Sequence, residues 1–313
     1  IRDTVGALGM HRAAPVQYIR PEVIGLILGA YVLSMIRGEH QSKGGSSPII
    51  RFILGFFVMI GALMFLGCPL RMILRLGGGD LNALFGIAGF AGGVGIGTIF
   101  LKRGYSLQRT YALSKLESAI MPAIQVGLLV LVVTAPAFIF FSQKGPGAMH
   151  APWLISLAAG LVVGGLSQYS RLCTVGGFRD LFLFKKSVLI FGYIAVLVGV
   201  FAVNISFGNF HLGFENQPVS HTDGLWNFLG MALAGFCSVL LGGCPLRQLI
   251  MTGEGNSDSA VTVLGLAAGA AFAHNFGLAA SGAGPTLNGQ IAVGIGFVVA
   301  LIIAVLNTKR SNA

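Results

Sequence analysis

Gly67-Cys68-Pro69-Leu70-Arg71 recurs as Gly243-Cys244-Pro245-Leu246-Arg247, 176 residues further on. Each copy closes a long apolar run, Ile49 to Leu66 in one case and Leu225 to Gly242 in the other. Each is followed by a short apolar stretch and a Gly-rich acidic turn, Gly77-Gly78-Gly79-Asp80 and Gly253-Glu254-Gly255-Asn256. A second apolar run comes next, Leu81 to Leu101 and Ala260 to Ala280. The chain therefore reads as two related halves, 1–146 and 147–313, with their boundary near the Gln143–Gly147 loop.

Composition sets the solvent. The chain is 55% apolar and 10% charged, with a mean hydropathy of +0.83. Several uncharged runs reach about 18 residues, enough to cross a bilayer core. The reading is an all-α polytopic membrane protein in contact with lipid. The 47 glycines then mean close helix packing and broken helices rather than disorder. The formal charge of +10 belongs to the membrane loops and their topology, and we expect no nucleic-acid partner. Four cysteines without a CxxC pair make neither a disulfide framework nor a zinc site. Gly89, Gly92, Gly93, Gly95 and Gly97 read as a packing face, not a phosphate loop, so no nucleotide or other cofactor is expected.

The pentapeptide is unusual for lipid. Proline lacks a backbone donor and disfavours helix in the residue before it. Broken backbone at membrane depth survives only where protein buries it or water lines it. Arginine there is expensive and marks a path or a ligand. One such segment is explained by a Pro-terminated helix with a buried cysteine and a snorkelling arginine. Two at matching places point to a transport site, because paired interrupted helices flank such sites.

Nine spans are expected, at 22–37, 49–67, 82–101, 119–142, 152–169, 187–207, 225–243, 259–280 and 289–307. Short half-helices follow the cysteines near 69–76, 174–183 and 245–252. Arg2-Asp3 matches Arg179-Asp180, which predicts a further helix and a cysteine ahead of Ile1. With the C-terminus in the cytoplasm, all Lys and Arg except Arg2, Arg12, Arg20, Arg71, Arg75 and Lys144 fall on that side. Cys68 then ends an outward-running helix and Cys244 an inward-running one. The halves are expected to be inverted, related by a pseudo-two-fold axis in the membrane plane.

Cys68 and Cys244 are the leading candidates for substrate contact. Cys173, followed by Thr174-Val175-Gly176-Gly177-Phe178-Arg179-Asp180, is either a third such thiol or a small buried residue. Cys237 has Gly61 as its counterpart in the first half and reads as packing. Arg71 and Arg247 either meet an anion or snorkel to a headgroup, while half-helices starting at Pro69 and Pro245 add positive dipole ends. His274-Asn275 reads as a hydrogen-bonding pair between helices.

The doubled pentapeptide, the Cys173–Asp180 segment and Ala273-His274-Asn275-Phe276-Gly277 resemble the YeeE/YedE sulphur-transport family of bacterial inner-membrane proteins. The Ile1-to-Gly9 opening is most similar to its YedE branch of selenium transporters. The resemblance implies uptake of a small sulfur- or selenium-containing anion, thiosulfate-like, along a central path. It implies that Cys68 and Cys244, with Cys173, pass the anion by transient thiol hydrogen bonds, and that the protein is not an enzyme. It also implies an inner-membrane location. Two rivals differ in class. A membrane thiol enzyme for sulfur transfer needs a low-pKa thiolate beside a resolving cysteine, which the sequence does not offer. A membrane anchor for a soluble cytoplasmic sulfur-carrier protein would use Lys102–Lys115 or Arg171–Lys186.

Overall fold

Apolar runs cut by Pro and Gly give helices of two lengths. A computed structural model describes residues 1–308. Thirteen α-helices are present among them: α1 (Arg2–Ala7), α2 (Pro21–Ile36), α3 (Pro48–Met64), α4 (Pro69–Gly77), α5 (Asn82–Lys102), α6 (Lys115–Thr134), α7 (Trp153–Ser170), α8 (Thr174–Phe184), α9 (Val188–Ser206), α10 (Gly224–Leu241), α11 (Pro245–Gly253), α12 (Ser257–Asn275) and α13 (Leu287–Leu306). The only sheet among the described residues joins β1 (Lys43–Gly44) to β2 (Tyr111–Ala112), antiparallel. The protein is an all-α polytopic membrane protein.

The expected half-helices at 69–76, 174–183 and 245–252 are α4, α8 and α11. Two expectations change. Eight spans, not nine, are long and apolar enough to cross a membrane among the described residues. The ninth, expected at 259–280, is α12, which falls short because Ser257, Asp258, Ser259, Thr262 and His274 dilute its apolar residues. The span expected at 119–142 stops at Thr134, where Ala135 turns left-handed ahead of Pro136, as a residue before proline disfavours helix.

The chain folds into two compact units. One holds residues 1–53, 108–172 and 246–275; the other holds, of the described residues, 54–107, 173–245 and 276–308. Each takes segments from both 1–146 and 147–313, so the packing units are not the sequence halves.

In the first unit, α2 and α7 meet through glycines four apart. A Cβ on Gly25 or Gly29 would strike the α7 backbone at Leu157–Leu161, and one on Gly160 or Gly164 would strike Glu22 or Leu26. Without a hydrophobic drive between helices in lipid, such close approach is what holds them together. The second unit is built around α10, in which every residue from Gly230 to Leu241 is buried. Gly61 of α3 lies against the Gly230 carbonyl, while Gly89 and Gly93 of α5 lie against the Phe228 and Ala232 carbonyls. Gly97 completes the row against Val239. Gly92 and Gly95, grouped with them on sequence, are not in it: the nearest atoms a Cβ would meet are ring carbons of Phe228 and Phe182 at 3.9 and 3.8 Å. Positions 89, 93 and 97 share one helix face; 92 and 95 do not.

This contrast is testable. Gly93→Leu is expected to abolish a monodisperse folded species on gel filtration in detergent, because four side-chain carbons have no room against Ala232 and Phe236. Gly92→Ala, with ordinary contact distances, is expected to elute as the parent does. Equal behaviour of the two variants would show that the α5–α10 row does not hold the unit together.

Candidate functional site

Three cysteines occupy the same backbone position at three helix breaks. After α3, Leu66 takes φ +62° and the Gly67 N–H returns to the Ala62 carbonyl at 2.8 Å. Cys68, extended at φ −78°, ψ 170°, then caps α4. After α10, Gly242 takes φ +81° and the Gly243 N–H returns to the Ser238 carbonyl at 3.0 Å, one residue ahead of Cys244 and α11. After α7, Arg171 takes φ +55° and the Leu172 N–H returns to the Ser167 carbonyl at 3.2 Å. Cys173 then caps α8. Each break is a left-handed residue, one residue bonded five positions back, and a cysteine opening the next helix. Helices commonly end on a left-handed glycine. Leucine and arginine in that conformation each cost about 1 kcal/mol or more. Strain of this kind is retained where a turn must be kept.

Pro69 and Pro245 suit the second helix, since the first helical amide has no partner to lose. Thr174 starts α8 without proline, and there the Cys173 sulfur accepts from the Gly176 N–H at 3.3 Å. The Cys68 side chain makes no capping hydrogen bond to α4. Each cysteine thus stands at a helix start, where first-turn N–H groups and the positive end of the helix dipole favour negative charge.

All three sulfurs are in the second unit and none is in a disulfide. Cys173 and Cys244 are buried; Cys68 is partly open. Thr174 Oγ1 is 2.8 Å from the Tyr193 hydroxyl and 3.7 Å from Cys244 Sγ. One hydroxyl has one proton. When Thr174 donates to the sulfur, Tyr193 must donate to Thr174. The chain Tyr193–Thr174–Cys244 is therefore a relay of neutral donors. Tyr193 is the only buried residue of α9. Sequence reading passed over both hydroxyls, although a tyrosine within the apolar run 187–207 was a signal. Cys237 is fully buried within α10, and nothing joins it to the other thiols.

The arginines do not share one setting. Arg71 is exposed and folds back on Gly67, in the unit that holds the thiols. Arg247 is in the other unit, where its Nη2 pairs with Glu254 Oε1 at 2.5 Å and its Nη1 donates to Gln168 Oε1 at 3.4 Å. Arg75, read only as a topological charge, anchors α4 to the rest of its unit. Its Nε pairs with Asp80 Oδ2 at 2.7 Å, Nη1 donates to the Phe65 carbonyl at 2.5 Å and Nη2 donates to Ser220 Oγ at 2.6 Å. Asp80 Oδ1 accepts from both the backbone and side-chain nitrogens of Asn82 at 2.9 Å. Both charges are buried, with 5% and 3% of their side chains exposed. His274 and Asn275 hold α12 to the N-terminal segment, through a ring contact with His11 at 4.6 Å and a hydrogen bond to the Met10 carbonyl at 2.9 Å.

Residues 169–308 match the sulphur transport family. The chain is 27% identical, over 115 residues, to the thiosulfate transporter TsuA of Escherichia coli (strain K12). That match covers 34% of this chain and 30% of the relative's length. The two findings bear out the resemblance to the YeeE/YedE sulphur-transport family; neither speaks for its selenium-transporter branch. Cys173 and Cys244 fall inside the family match, and Cys68 is related to Cys244 through the internal repeat.

The buried ion pair gives the second prediction. Asp80→Asn removes the charge facing Arg75, and breaking a buried pair from one side costs about 3–5 kcal/mol. A large fall in the midpoint of thermal unfolding in detergent is expected. An unchanged midpoint would show that Arg75 is compensated by its carbonyl and hydroxyl partners alone.

Proposed function

From a sulphur-transport family and three thiols on three like turns, we propose that the chain takes up a small sulfur oxyanion of the thiosulfate class across a bacterial inner membrane. The observation that supports this best is the shared backbone of the three breaks. It supports reading Cys173 as a third site of the same kind, where the sequence left it open. A selenium analogue of the same charge and size is a second candidate cargo. The proposal puts Cys68, Cys173 and Cys244 on the path, with Arg71 and Arg247 as the charges that draw an anion to it. The two halves are inverted in this reading and the C-terminus is cytoplasmic.

Neutral thiols suit such a path. A passage must bind well enough to admit the anion and weakly enough to release it. An S–H group is a weak donor, and a soft, polarizable sulfur faces a soft sulfur cargo. Helix N-termini supply positive potential without a mobile cation that would trap a dianion. Thr174 and Tyr193 offer the anion's oxygens stronger donors beside the thiols. No charged base is needed for any of this, and none is in hydrogen-bond contact with Cys173 in the arrangement described.

The test is uptake of ³⁵S-thiosulfate into proteoliposomes. Cys68→Ala, Cys173→Ala and Cys244→Ala are each expected to reduce uptake at least tenfold while the protein still inserts. Cys237→Ala is expected to transport normally. Parental uptake by any of the first three would take that thiol off the path, and no uptake by the parent would remove the proposal. Inversion has its own measurement. With single cysteines, a membrane-impermeant thiol reagent applied to whole cells should modify Cys68 before Cys244. In inside-out vesicles the order should reverse. Identical order from both sides would refute inversion.

A further inference from the structure

In the first unit, three arginines and two carboxylates form one network at the ends of α2, α7 and α11. Glu254, the residue after α11, accepts on a single oxygen, Oε1, from both Arg171 Nη1 at 2.7 Å and Arg247 Nη2 at 2.5 Å. Glu39, just beyond α2, accepts on Oε2 from Arg171 Nη2 at 2.9 Å and from Gln168 Nε2 at 3.1 Å, and on Oε1 from Arg37 Nε at 2.9 Å. Arg37, hydrogen-bonded to Glu39, holds that carboxyl below its usual range, with help from Arg171. The cluster carries one more positive than negative charge. Arg171 is 47% exposed at its side chain, whereas Arg247 and Glu254 are 11% and 10% exposed. Arg171 is also the strained left-handed residue that ends α7.

One oxygen shared by two guanidiniums is the arrangement an oxyanion adopts when bound by paired arginines. Here a side chain of the protein supplies that oxygen. We propose that Arg171 and Arg247 form a binding station for a small oxyanion, with the Glu254 carboxylate holding its place until the anion displaces it. The station extends the transport reading of the preceding section: Arg247 was a candidate for anion contact, whereas Arg171 and Glu254 were not. The internal carboxylate lowers apparent affinity by the fraction of time it fills the site. It also returns when the anion leaves, so release does not strand two like charges side by side. The turn that carries Glu254 is fixed by its backbone, with the Glu254 carbonyl accepting from the Gln41 N–H at 2.9 Å and the Gly255 carbonyl from the Lys43 N–H at 3.3 Å, so the displacement is a rotation of the Glu254 side chain alone.

The experiment is equilibrium binding of ³⁵S-thiosulfate to purified full-length protein in nanodiscs, with no transport required. If Glu254 fills the station nine-tenths of the time, Glu254→Gln is expected to tighten binding about tenfold. Glu39→Gln adds the same charge to the cluster without opening the shared position, and is expected to change binding less. Glu215→Gln, at an exposed residue in the Gly208–Gly224 loop, controls for charge alone and is expected to match the parent. Adding Arg171→Gln to Glu254→Gln is expected to cancel the gain. If Glu254→Gln does not accumulate, Glu254→Asp withdraws the carboxylate by one methylene and should give a smaller gain in the same direction. Unchanged or weaker binding in a folded Glu254 variant overturns the proposal, as does a gain that survives loss of Arg171. A parent that binds but does not take up thiosulfate defeats the transport reading alone, because the binding comparison stands without it.

Discussion

A helix broken inside a membrane leaves amides and carbonyls that lipid cannot satisfy, and this chain meets that problem three times with one device. The helix closes on a left-handed residue, and the next amide returns to a carbonyl five residues back. The following cysteine opens a short helix. The returning bond uses up one orphan carbonyl. The new helix still presents amides without intrahelical partners at its start. The first-turn amides are the feature the break creates, and in each case a cysteine precedes them; at α8 the Gly176 N–H already donates to the Cys173 sulfur. A larger or charged side chain there would fill or neutralise the position. A small, neutral and polarizable one leaves it available to an anion. The function proposed for the thiols thus depends on backbone geometry first and on sulfur chemistry second.

Much of this was legible in the residues. Gly-Cys-Pro places its own helix break, and the half-helices at 69–76 and 245–252 needed only one more residue each. The third break was harder to read. Ser170-Arg171-Leu172-Cys173 has neither glycine nor proline, and its turn is imposed against the preference of Arg171. The half-helix beyond it was nonetheless legible at 174–183; the left-handed turn ahead of it was not. The expected span at 259–280 is thinned by polar residues: Ser257, Asp258 and Ser259 start α12, and the burial of Asp258 and Ser259 was not legible from composition. Compact units drawn from both sequence halves could not be seen either, because a repeat records ancestry of segments and packing records which faces meet. The glycine face was read correctly in kind and wrongly in membership, since Gly89, Gly93 and Gly97 lie hard against α10 whereas Gly92 and Gly95 have only ordinary contacts with the Phe228 and Phe182 rings.

Pairing of charges was the least legible feature. Arg71 and Arg247 are the same residue of the repeat, yet one is exposed against Gly67 and the other is bound to Glu254. The difference lies in the Gly-rich turns that follow. Asp80 aligns with Asn256, and Glu254 aligns with Gly78. A shift of two residues moves the carboxylate from one arginine to another. In the first half it meets Arg75, in the second Arg247 and Arg171.

The two pairings obey different physics. Arg75 and Asp80 are sealed, and each of their charged atoms has a partner among Phe65, Ser220, Asn82 and each other. Opening that pair would strand two charges without water to receive them, a cost of several kcal/mol per ion. It is fixed and acts as structure. Glu254 shares its oxygen with an arginine that is 47% exposed, so water or an anion can take over as the carboxylate leaves. An exchange there trades one charge-assisted pair for another of similar strength, and the net cost is small. Sealing one turn and leaving the other open gives a single ancestral motif two uses: one half is held rigid by its carboxylate, and the other can lend its arginines to a passing ion.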